Sequence, residues 1–329
     1  MSRVNLANGL LLAAAVLGSV ALTAAVTVWS PSAAKLMPEA TDGALVKDAT
    51  GTRVPSRPYA RIVSTSTIAD EVLLELIEPS RLLAVSGHTL RSGREPWRFA
   101  GKIGVQRARD IETIIGLRPD LVFINNFVDA RHVQRMKEAG LNVFDLGPMK
   151  GLQTLLPNIE QVASVLGVPE RGRKLRAKLL RELDAVSSQL PEGSRRRALY
   201  VGIHGDRLYG GTRGTSFHDV LIAAGLVDVA SEAGYQGWPA FSNEELLSLD
   251  APWIITNAGH ELAFCDHPGL QALQACQAGQ VRGVDTALLT SPGLAMVEAA
   301  EAVRDAVYAP TQLGKASSGT GDSTEGTAH

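Results

Sequence analysis

Two histidines stand where a chain of alternating strands and helices could bring them to a metal centre. His88 follows a predicted strand in the segment AVSGHT, and His260 follows another in ITNAGH. Imidazole nitrogen coordinates iron and cobalt, so either side chain could contact the metal of a bound complex. A site for a free zinc or manganese ion needs three or four convergent ligands, and we find two. A histidine after a strand also often serves only in hydrogen bonding, and that alternative stays open.

The segment HELAFCDH, residues 260–267, has metal-ligating residue types but a spacing that fits no standard zinc pattern. We expect an ordinary loop there. Cys265 and Cys276 are the two cysteines of the chain. In an oxidising compartment they could pair with each other, and they could equally remain free, buried thiols.

The segment HGDRLYGGTRGTSFHD, residues 204–219, does not carry a catalytic motif. Its glycines lack the Lys-Ser/Thr ending of a phosphate loop. Ser216, His218 and Asp219 stand too close together on one predicted helix to converge as a triad. A hydrolase needs a nucleophile with a base and an orienting partner, and the sequence presents no such set. We therefore predict that the protein is not an enzyme.

Basic and aromatic side chains flank the glycines of the same segment. Gly210, Gly211 and Gly214 predict a turn, from which Arg207, Tyr209 and Arg213 could reach a ligand. Arginine suits an anionic chelate or carboxylates because it can form paired hydrogen bonds. The alternative for each arginine is an ordinary solvent-exposed side chain.

Composition excludes several classes of protein. Hydrophobic residues make up 45% of the 329 residues and charged residues 20%, which is enough apolar surface to bury a core. The formal net charge of −2 gives no general attraction for nucleic acid.

Both ends of the chain differ from the middle. Arg3 precedes an uncharged run from Leu10 to Val28, and small residues follow at Ser32-Ala33-Ala34. Residues 1–34 therefore predict a secretory signal peptide or an uncleaved N-terminal anchor. The protein should work outside the cytoplasm. Residues 311–329 are rich in Gly, Ser and Thr and predict a disordered tail.

Between the ends, strands alternate with helices in two similar halves, which predicts parallel sheets covered on both faces. The predicted strands are 60–64, 81–86, 121–124, 142–146, 198–203, 253–256 and 280–284. The predicted helices are 68–76, 111–116, 130–139, 151–166, 170–190, 216–224, 244–249, 270–275 and 293–308. The helix of about 21 residues at 170–190 would be roughly 30 Å long, enough to connect two lobes. Trp253 lies in a strand and should pack in a core.

Four segments taken in order resemble one family. They are VKDATGTRV, ARIVSTSTIADEVLLELI, KIGVQRARDIETIIGLRPDLVFI and WPAFSNEELLSLDAPWIIT. Together they resemble the periplasmic substrate-binding proteins that deliver ferric siderophores, haem or cobalamin to ABC importers. The resemblance implies two α/β lobes with mainly parallel sheets, joined by a long rigid α-helix, with the ligand cleft between the lobes. The implied boundaries are 46–150 for the N-terminal lobe, 151–194 for the connecting helices and 195–310 for the C-terminal lobe.

Ligands of open α/β sheets bind beyond the carboxyl ends of the strands. Ser66, Asn125 and Phe127 follow predicted strands and should line the cleft with His88 and His260. Trp238 precedes Pro239, and the resemblance implies that its indole ring covers a flat ligand, as in the cobalamin-binding members. The alternative is a tryptophan buried between loops.

Two acidic residues occupy matching places in the two halves. Glu112 lies in RDIET and Glu244 in FSNEE, with Glu245 as an adjacent competitor. In the family that the chain resembles, one acidic residue per lobe pairs with arginines of the importer's membrane subunits, and we expect Glu112 and Glu244 to serve this docking. Acidic residues in the first turn of a helix also complement its dipole.

These observations predict a non-enzymatic, extracytoplasmic protein that captures an iron- or cobalt-containing complex for an ABC importer. It should have no intrinsic cofactor, and its partners should be the importer's membrane subunits and a small-molecule metal complex. Membrane contact would come through the importer or an uncleaved N-terminal helix. The alternatives are a free zinc or manganese receptor of the same fold and a membrane-anchored sensor built on it. The sequence does not choose among siderophore, haem and corrinoid.

Overall fold

The computed structural model of the protein describes residues 44–106, 110–125, 129–190, 193–290 and 293–309. The predicted leader or anchor at 1–34 and the predicted tail at 311–329 lie outside the described residues. The described chain opens with an antiparallel hairpin of β1 (Leu45–Lys47) and β2 (Arg53–Pro55), as the first of the four segments implies. The Asp48 carboxylate closes its turn by accepting the N–H groups of Thr50 and Thr52 at 2.9 and 2.8 Å.

The first lobe is built on a five-stranded parallel sheet in the order β5-β4-β3-β6-β7. Its strands are β3 (Ile62–Ser64), β4 (Leu82–Ser86), β5 (Ile103–Val105), β6 (Leu121–Ile124) and β7 (Val143–Asp145). Its helices are α1 (Thr67–Leu76), α2 (Gly87–Ser92), α3 (Ile111–Gly116) and α4 (Ala130–Glu138). All four residues of β6 are buried, as expected for a central parallel strand covered on both faces.

Two long helices follow, α5 (Leu152–Val165) and α6 (Pro169–Ser188). Pro169 at the first position suits a helix start, because this residue has no N–H to leave unsatisfied. The two helices approach closely where Gly172 meets Ala163. A Cβ atom on Gly172 would lie 2.4 Å from the Cβ of Ala163, so a larger residue would push the helices apart.

The second lobe is built on a six-stranded mixed sheet in the order β11-β9-β8-β12-β13, with β10 also paired to β8. Its strands are β8 (Arg196–His204), β9 (Arg207–Gly210), β10 (Leu226–Asp228), β11 (Ala240–Phe241), β12 (Trp253–Asn257) and β13 (Val281–Val284). Its helices are α7 (Ser216–Ala223), α8 (Val229–Glu232), α9 (Asn243–Leu249), α10 (Glu261–Asp266), α11 (Gln274–Gln277), α12 (Thr286–Thr290) and α13 (Met296–Tyr308).

Helix α6 contacts both lobes. It packs against α1 of the first lobe and against α7 and α13 of the second. Its buried face carries Leu179, Leu183 and Val186. At 1.5 Å per residue its 20 residues span about 30 Å. The predicted α/β fold with two lobes and a long connecting helix is confirmed.

Several elements of the second lobe differ from the sequence prediction. The predicted turn around Gly210 begins with the antiparallel strand β9, whose four residues end in glycine and give too short an alternation to recognise. The expected loop at 260–267 contains helix α10. The predicted helix 270–275 is divided into a 3-10 turn at Leu270–Ala272 and the short α11, because Leu273 between them has extended backbone.

Cys265 and Cys276 form a disulfide, with a Cα–Cα distance of 5.6 Å. The bond joins the end of α10 to α11 beside the core of the second lobe, and it decides the question that the sequence leaves open. Within the described ranges, no helix combines the length and the apolar character needed to cross a membrane.

Candidate functional site

The first lobe presents its predicted site residues at the carboxyl ends of β3, β4 and β6. Ser66 follows β3, is 1% exposed, and accepts the N–H of Ala69 as the N-cap of α1. Asn125 directly follows β6 and is partly exposed. Phe127 lies outside the described residues. Ser66 therefore anchors the start of α1, and contact of these three residues with a ligand stays a prediction.

A buried carboxylate holds the next strand end in place. Asp70 on α1 is fully buried, and its Oδ2 atom accepts the N–H of Ser86 at 3.0 Å and the hydroxyl of Thr89 at 2.5 Å. Burial raises the pKa of Asp70 to about 7, although these hydrogen bonds oppose the shift. The contacts fix the β4–α2 junction, so His88 stands in the first turn of α2 with an exposed side chain. The sequence analysis places His88 directly after a strand and does not predict this helix.

A cavity of about 470 Å³ lies between α1, residues 88–99, α6 and the start of α13. This volume is in the range of small-molecule sites. Among the predicted ligand contacts that the structure describes, His88 lines this cavity and the others do not. Its charged residues are largely paired, since Arg98 contacts Glu75 at 2.6 Å and Arg94 contacts Glu298. The cavity is thus a polar space with contributions from both lobes.

The second lobe carries a series of aromatic rings that leads from its interior to its surface. Tyr200 on β8 is buried and donates its hydroxyl to Oδ1 of Asn257, at the end of β12, at 2.9 Å. Burial raises the pKa of Tyr200 to about 12. The ring of Phe217 lies 4.0 Å from that of Tyr200 and 5.1 Å from that of Trp238, centroid to centroid. The sequence reasoning missed Tyr200 and Phe217, which hold the tryptophan.

Trp238 ends this series and is 57% exposed. Its plane is inclined at 80° to that of Phe217. The preceding Gly237 exchanges backbone hydrogen bonds with Thr212 and Arg213, at 3.1 and 2.9 Å, which fixes the loop. A large, supported and solvent-facing aromatic ring can cover a flat apolar ligand at a small cost in side-chain entropy.

The three predicted contacts near the glycines lie on and after the β8–β9 hairpin. Arg207 and Tyr209 are two residues apart on β9 and so share one face, and the guanidinium group donates to the phenol oxygen at 3.3 Å. The ring of Tyr209 packs edge-on against His204 at 5.9 Å. Arg213 lies beyond the strand and donates from Nε to Ser231 Oγ at 3.2 Å. None of the three lines the cavity beside His88.

His260 occupies the N-cap position of α10 without a capping hydrogen bond from its side chain, and its Nδ1 atom is buried without a hydrogen-bond partner in the described part of the chain. Cys265 is unavailable as a thiolate because it is in the disulfide. Across residues 44–106, 110–125, 129–190, 193–290 and 293–309, no three His, Cys, Asp or Glu side chains are grouped to hold a metal ion.

The two predicted docking glutamates are both exposed in the first turns of short helices. Glu112 on α3 has a side chain 75% exposed, and Arg135 of α4 donates to its Oε1 at 2.6 Å. Glu244 is exposed on α9. Its neighbour Glu245 accepts the N–H of Ser242 at 2.8 Å and the hydroxyl of Tyr235 at 3.1 Å. Because Glu245 completes the helix cap, Glu244 is the freer of the two.

The chain is similar to a known protein family and to several curated proteins. A family model described as a periplasmic binding protein matches residues 62–288. An uncharacterized ABC transporter substrate-binding lipoprotein of Bacillus subtilis is 20% identical over 209 residues, 61% of this chain and 66% of that protein. A cobalamin-binding protein of Halobacterium salinarum is 23% identical over 249 residues, 72% of this chain and 66% of that protein. The chain thus spans just under two thirds of these curated relatives.

Among solved structures, the periplasmic heme-binding protein of Vibrio cholerae has a similar fold. It superposes with a TM-score of 0.66 over 75% of this chain and 98% of its own, at 20% sequence identity. At this identity the likeness concerns the fold.

Proposed function

The chain belongs to the periplasmic binding protein family, and from this premise we propose that it captures a metal chelate or a corrinoid outside the cytoplasm. The candidates are haem, cobalamin and a ferric siderophore. Its role is to bind a solute and not to catalyse a reaction. The observation that carries the proposal is the exposed side chain of Trp238. Its ring packs against that of Phe217, which packs in turn against that of Tyr200. Flat macrocycles bury large apolar areas against such a ring.

The named relatives support the same class of ligand. The Halobacterium salinarum relative is named as cobalamin-binding, and the Vibrio cholerae protein of similar fold as heme-binding. His88 and His260 are the side chains on which a contact with iron or cobalt would depend. Arg207 and Arg213, both exposed, could pair with the carboxylates or phosphates of such a ligand.

We propose that the membrane subunits of an ABC importer are the protein's partner. The Bacillus subtilis relative is named as an ABC transporter substrate-binding lipoprotein. Glu112 and Glu244 offer one exposed carboxylate in each lobe for basic groups on that partner. Exposed charges at the edge of a protein–protein interface mainly raise the association rate and select the partner.

The test is to purify the protein from its native host and record the absorption spectrum and mass of any co-purified ligand. Haem, a corrinoid or a ferric siderophore would support the proposal. Titration calorimetry of the ligand-free protein with hemin, cyanocobalamin and a ferric siderophore then ranks the three. Absence of binding to all of them, together with saturable binding of zinc or manganese ions, would replace it by the free-metal alternative.

A further inference from the structure

Two carboxylates, one from each lobe, each accept backbone N–H groups at the start of a helix outside their own lobe. Glu71 on α1 of the first lobe accepts the backbone N–H of Leu294 at 2.9 Å and that of Ala295, in the turn that opens α13. Asp219 on α7 of the second lobe accepts the N–H of Leu152, the first residue of α5, at 2.6 Å. The first contact joins the first lobe to the last helix of the second. The second contact joins the second lobe to α5, a connecting helix that packs against α1 and β1 on the side of the first lobe.

The two contacts occupy corresponding places. Helices α1 and α7 are the first helices after the opening strands of their lobes. Helix α5 is the first helix to follow β7 of the first sheet, and α13 is the last helix of the second lobe. In each case the leucine of a Gly-Leu pair donates its N–H group to the carboxylate. The pairs are Gly151-Leu152 and Gly293-Leu294. The relationship is reciprocal. Glu71 of the first lobe binds the start of the last helix of the second lobe, and Asp219 of the second lobe binds the start of α5.

The glycine of each pair is required for close approach. A Cβ atom on Gly293 would lie 2.5 Å from Oε2 of Glu71, and one on Gly151 would lie 2.0 Å from Oδ2 of Asp219. Neither distance can be tolerated without moving the carboxylate or the backbone. Gly151 also has φ +64°, a conformation that favours glycine. At both places the backbone can therefore approach the carboxylate only because the residue before the leucine has no side chain.

A further ion pair strengthens the first contact. Arg94, between α2 and β5 of the first lobe, pairs with Glu298 in the first turn of α13. Glu71, Leu294 and Glu298 all line the 470 Å³ cavity. The first contact is therefore one wall of that space.

We infer that Glu71 and Asp219 are reciprocal latches, which set the spacing of the two lobes and so the width of the cleft that receives the solute. With the packing of helix α6 against α1, α7 and α13 alone, the lobes would keep some freedom to rotate relative to each other. Two additional contacts, each to a helix start, remove that freedom. A carboxylate on backbone N–H groups at a helix N-terminus is a strong, charge-assisted contact. The inference rests on the two-lobed fold and not on the identity of the solute.

The experiment measures the distance between the lobes directly. Both native cysteines are in the disulfide, so cysteines introduced at exposed Arg131 on α4 and exposed Ser248 on α9 can be spin-labelled selectively. Pulsed electron paramagnetic resonance then gives the label–label distance distribution of the full chain without ligand. We expect Glu71→Ala and Asp219→Ala each to add a second distance population. The ratio of new to original population should shift by roughly tenfold, the change expected for loss of one hydrogen bond to a charged group.

Matched variants separate a latch from a general effect on stability. Glu71→Gln keeps a side-chain oxygen acceptor and should retain most of the original distribution. Gly293→Ala should displace Glu71 and reproduce the effect of Glu71→Ala, whereas Gly116→Ala, whose Cβ would meet no atom within 4 Å, should not. Distributions unchanged from wild type in Glu71→Ala, Asp219→Ala and Gly293→Ala would overturn the inference. If either alanine variant fails to fold, Gly293→Ala and Glu71→Gln still decide it.

Discussion

The hydroxyl group of Thr89 donates a hydrogen bond of 2.5 Å to Oδ2 of Asp70, a carboxyl group with no exposed surface. The bond ties α2 to α1 across the end of β4 and so sets the position of His88. Oδ1 of the same carboxyl has no hydrogen-bond partner in the described part of the chain. The strand-end site is therefore organised by a buried acid that touches no solvent.

Replacing Thr89 by valine should destabilise the protein. The change removes the hydroxyl while keeping the shape of the side chain, and it leaves a buried carboxyl with one donor fewer. The expected loss in the free energy of unfolding is about 1–3 kcal/mol. Urea unfolding followed by circular dichroism measures it, with Thr89→Ser as the control that retains the hydroxyl. Equal stability of the valine and serine variants would show that the hydrogen bond contributes nothing.

Stability should decrease as the pH rises from about 5 to about 8. Burial raises the pKa of Asp70 and of Glu71 to about 7 and that of Asp219 to about 6. In the unfolded chain these groups titrate near 4, so between those values the folded protein binds more protons than the unfolded one. Their stabilising effect is fully present below the unfolded pKa and is lost as the pH passes the folded pKa.

Glu71→Gln isolates one of these groups, because the amide is neutral at every pH in the range. Burial raises the pKa of Glu71. The N–H groups of Leu294 and Ala295 and the charges of Arg94 and Arg98 lower this pKa by less. Relative to wild type, the variant should gain about 2–3 kcal/mol in the free energy of unfolding between pH 5 and pH 8. The measurement is urea unfolding at four pH values. Parallel pH profiles for the variant and the wild type would contradict the raised pKa.

The α/β alternation, the two halves and the long connecting helix could be predicted because each depends on local patterns. The roles of Asp70 and Glu71 could not. The apolar stripe of α1 runs through Ile68, Val72 and Leu76, and both acids lie off that stripe, where periodicity assigns them to solvent. They are covered because the β4–α2 junction and the start of α13 arrive from distant parts of the chain.

The aromatic series shows the same limit. Trp238 stood out by its position before Pro239, but Phe217 and Tyr200 read as ordinary apolar residues of a helix and a strand. Their contact exists because β8 and α7 pack side by side in the second lobe. The hairpin that carries Arg207 and Tyr209 was likewise missed, since a four-residue strand ending in glycine has a weak pattern.

Trp238→Ala should weaken ligand binding and leave the fold intact. Trp238 is 57% exposed, so removal of its indole ring leaves no cavity in the core. Truncation of an aromatic anchor typically costs on the order of 1–3 kcal/mol, or roughly 5- to 150-fold in Kd. Titration calorimetry with the ligand identified from the native host measures the change. Leu262→Ala, which removes an 81% exposed apolar side chain elsewhere in the lobe, is the control. An unchanged affinity in Trp238→Ala would remove the indole from the binding site.

His88→Ala should change the visible absorption spectrum of bound haem or corrinoid if the imidazole completes the metal's coordination. The side chain is exposed in the first turn of α2 and lines the cavity, so it is accessible to a ligand. The spectrum is the informative measurement, because contacts to the rest of the ligand could preserve affinity. His132→Ala, on the surface helix α4, is the control and should leave the spectrum unchanged. A spectrum of His88→Ala identical to wild type would show that this histidine does not bind the metal.

Reversing the charge of Glu112 and Glu244 together should impair transport and spare capture. Both carboxylates are exposed at helix starts, and neither lines the cavity nor belongs to the aromatic series. Lysine at both positions would replace attraction to basic groups of the membrane subunits by repulsion, which mainly slows association and does so most at low salt. Ligand affinity by calorimetry should stay within about twofold of wild type, while stimulation of the importer's ATPase in proteoliposomes should fall at least about tenfold. Glu170→Lys, an exposed carboxylate at the start of α6, serves as the control for a surface charge change. Full stimulation by the double variant would show that docking uses other residues.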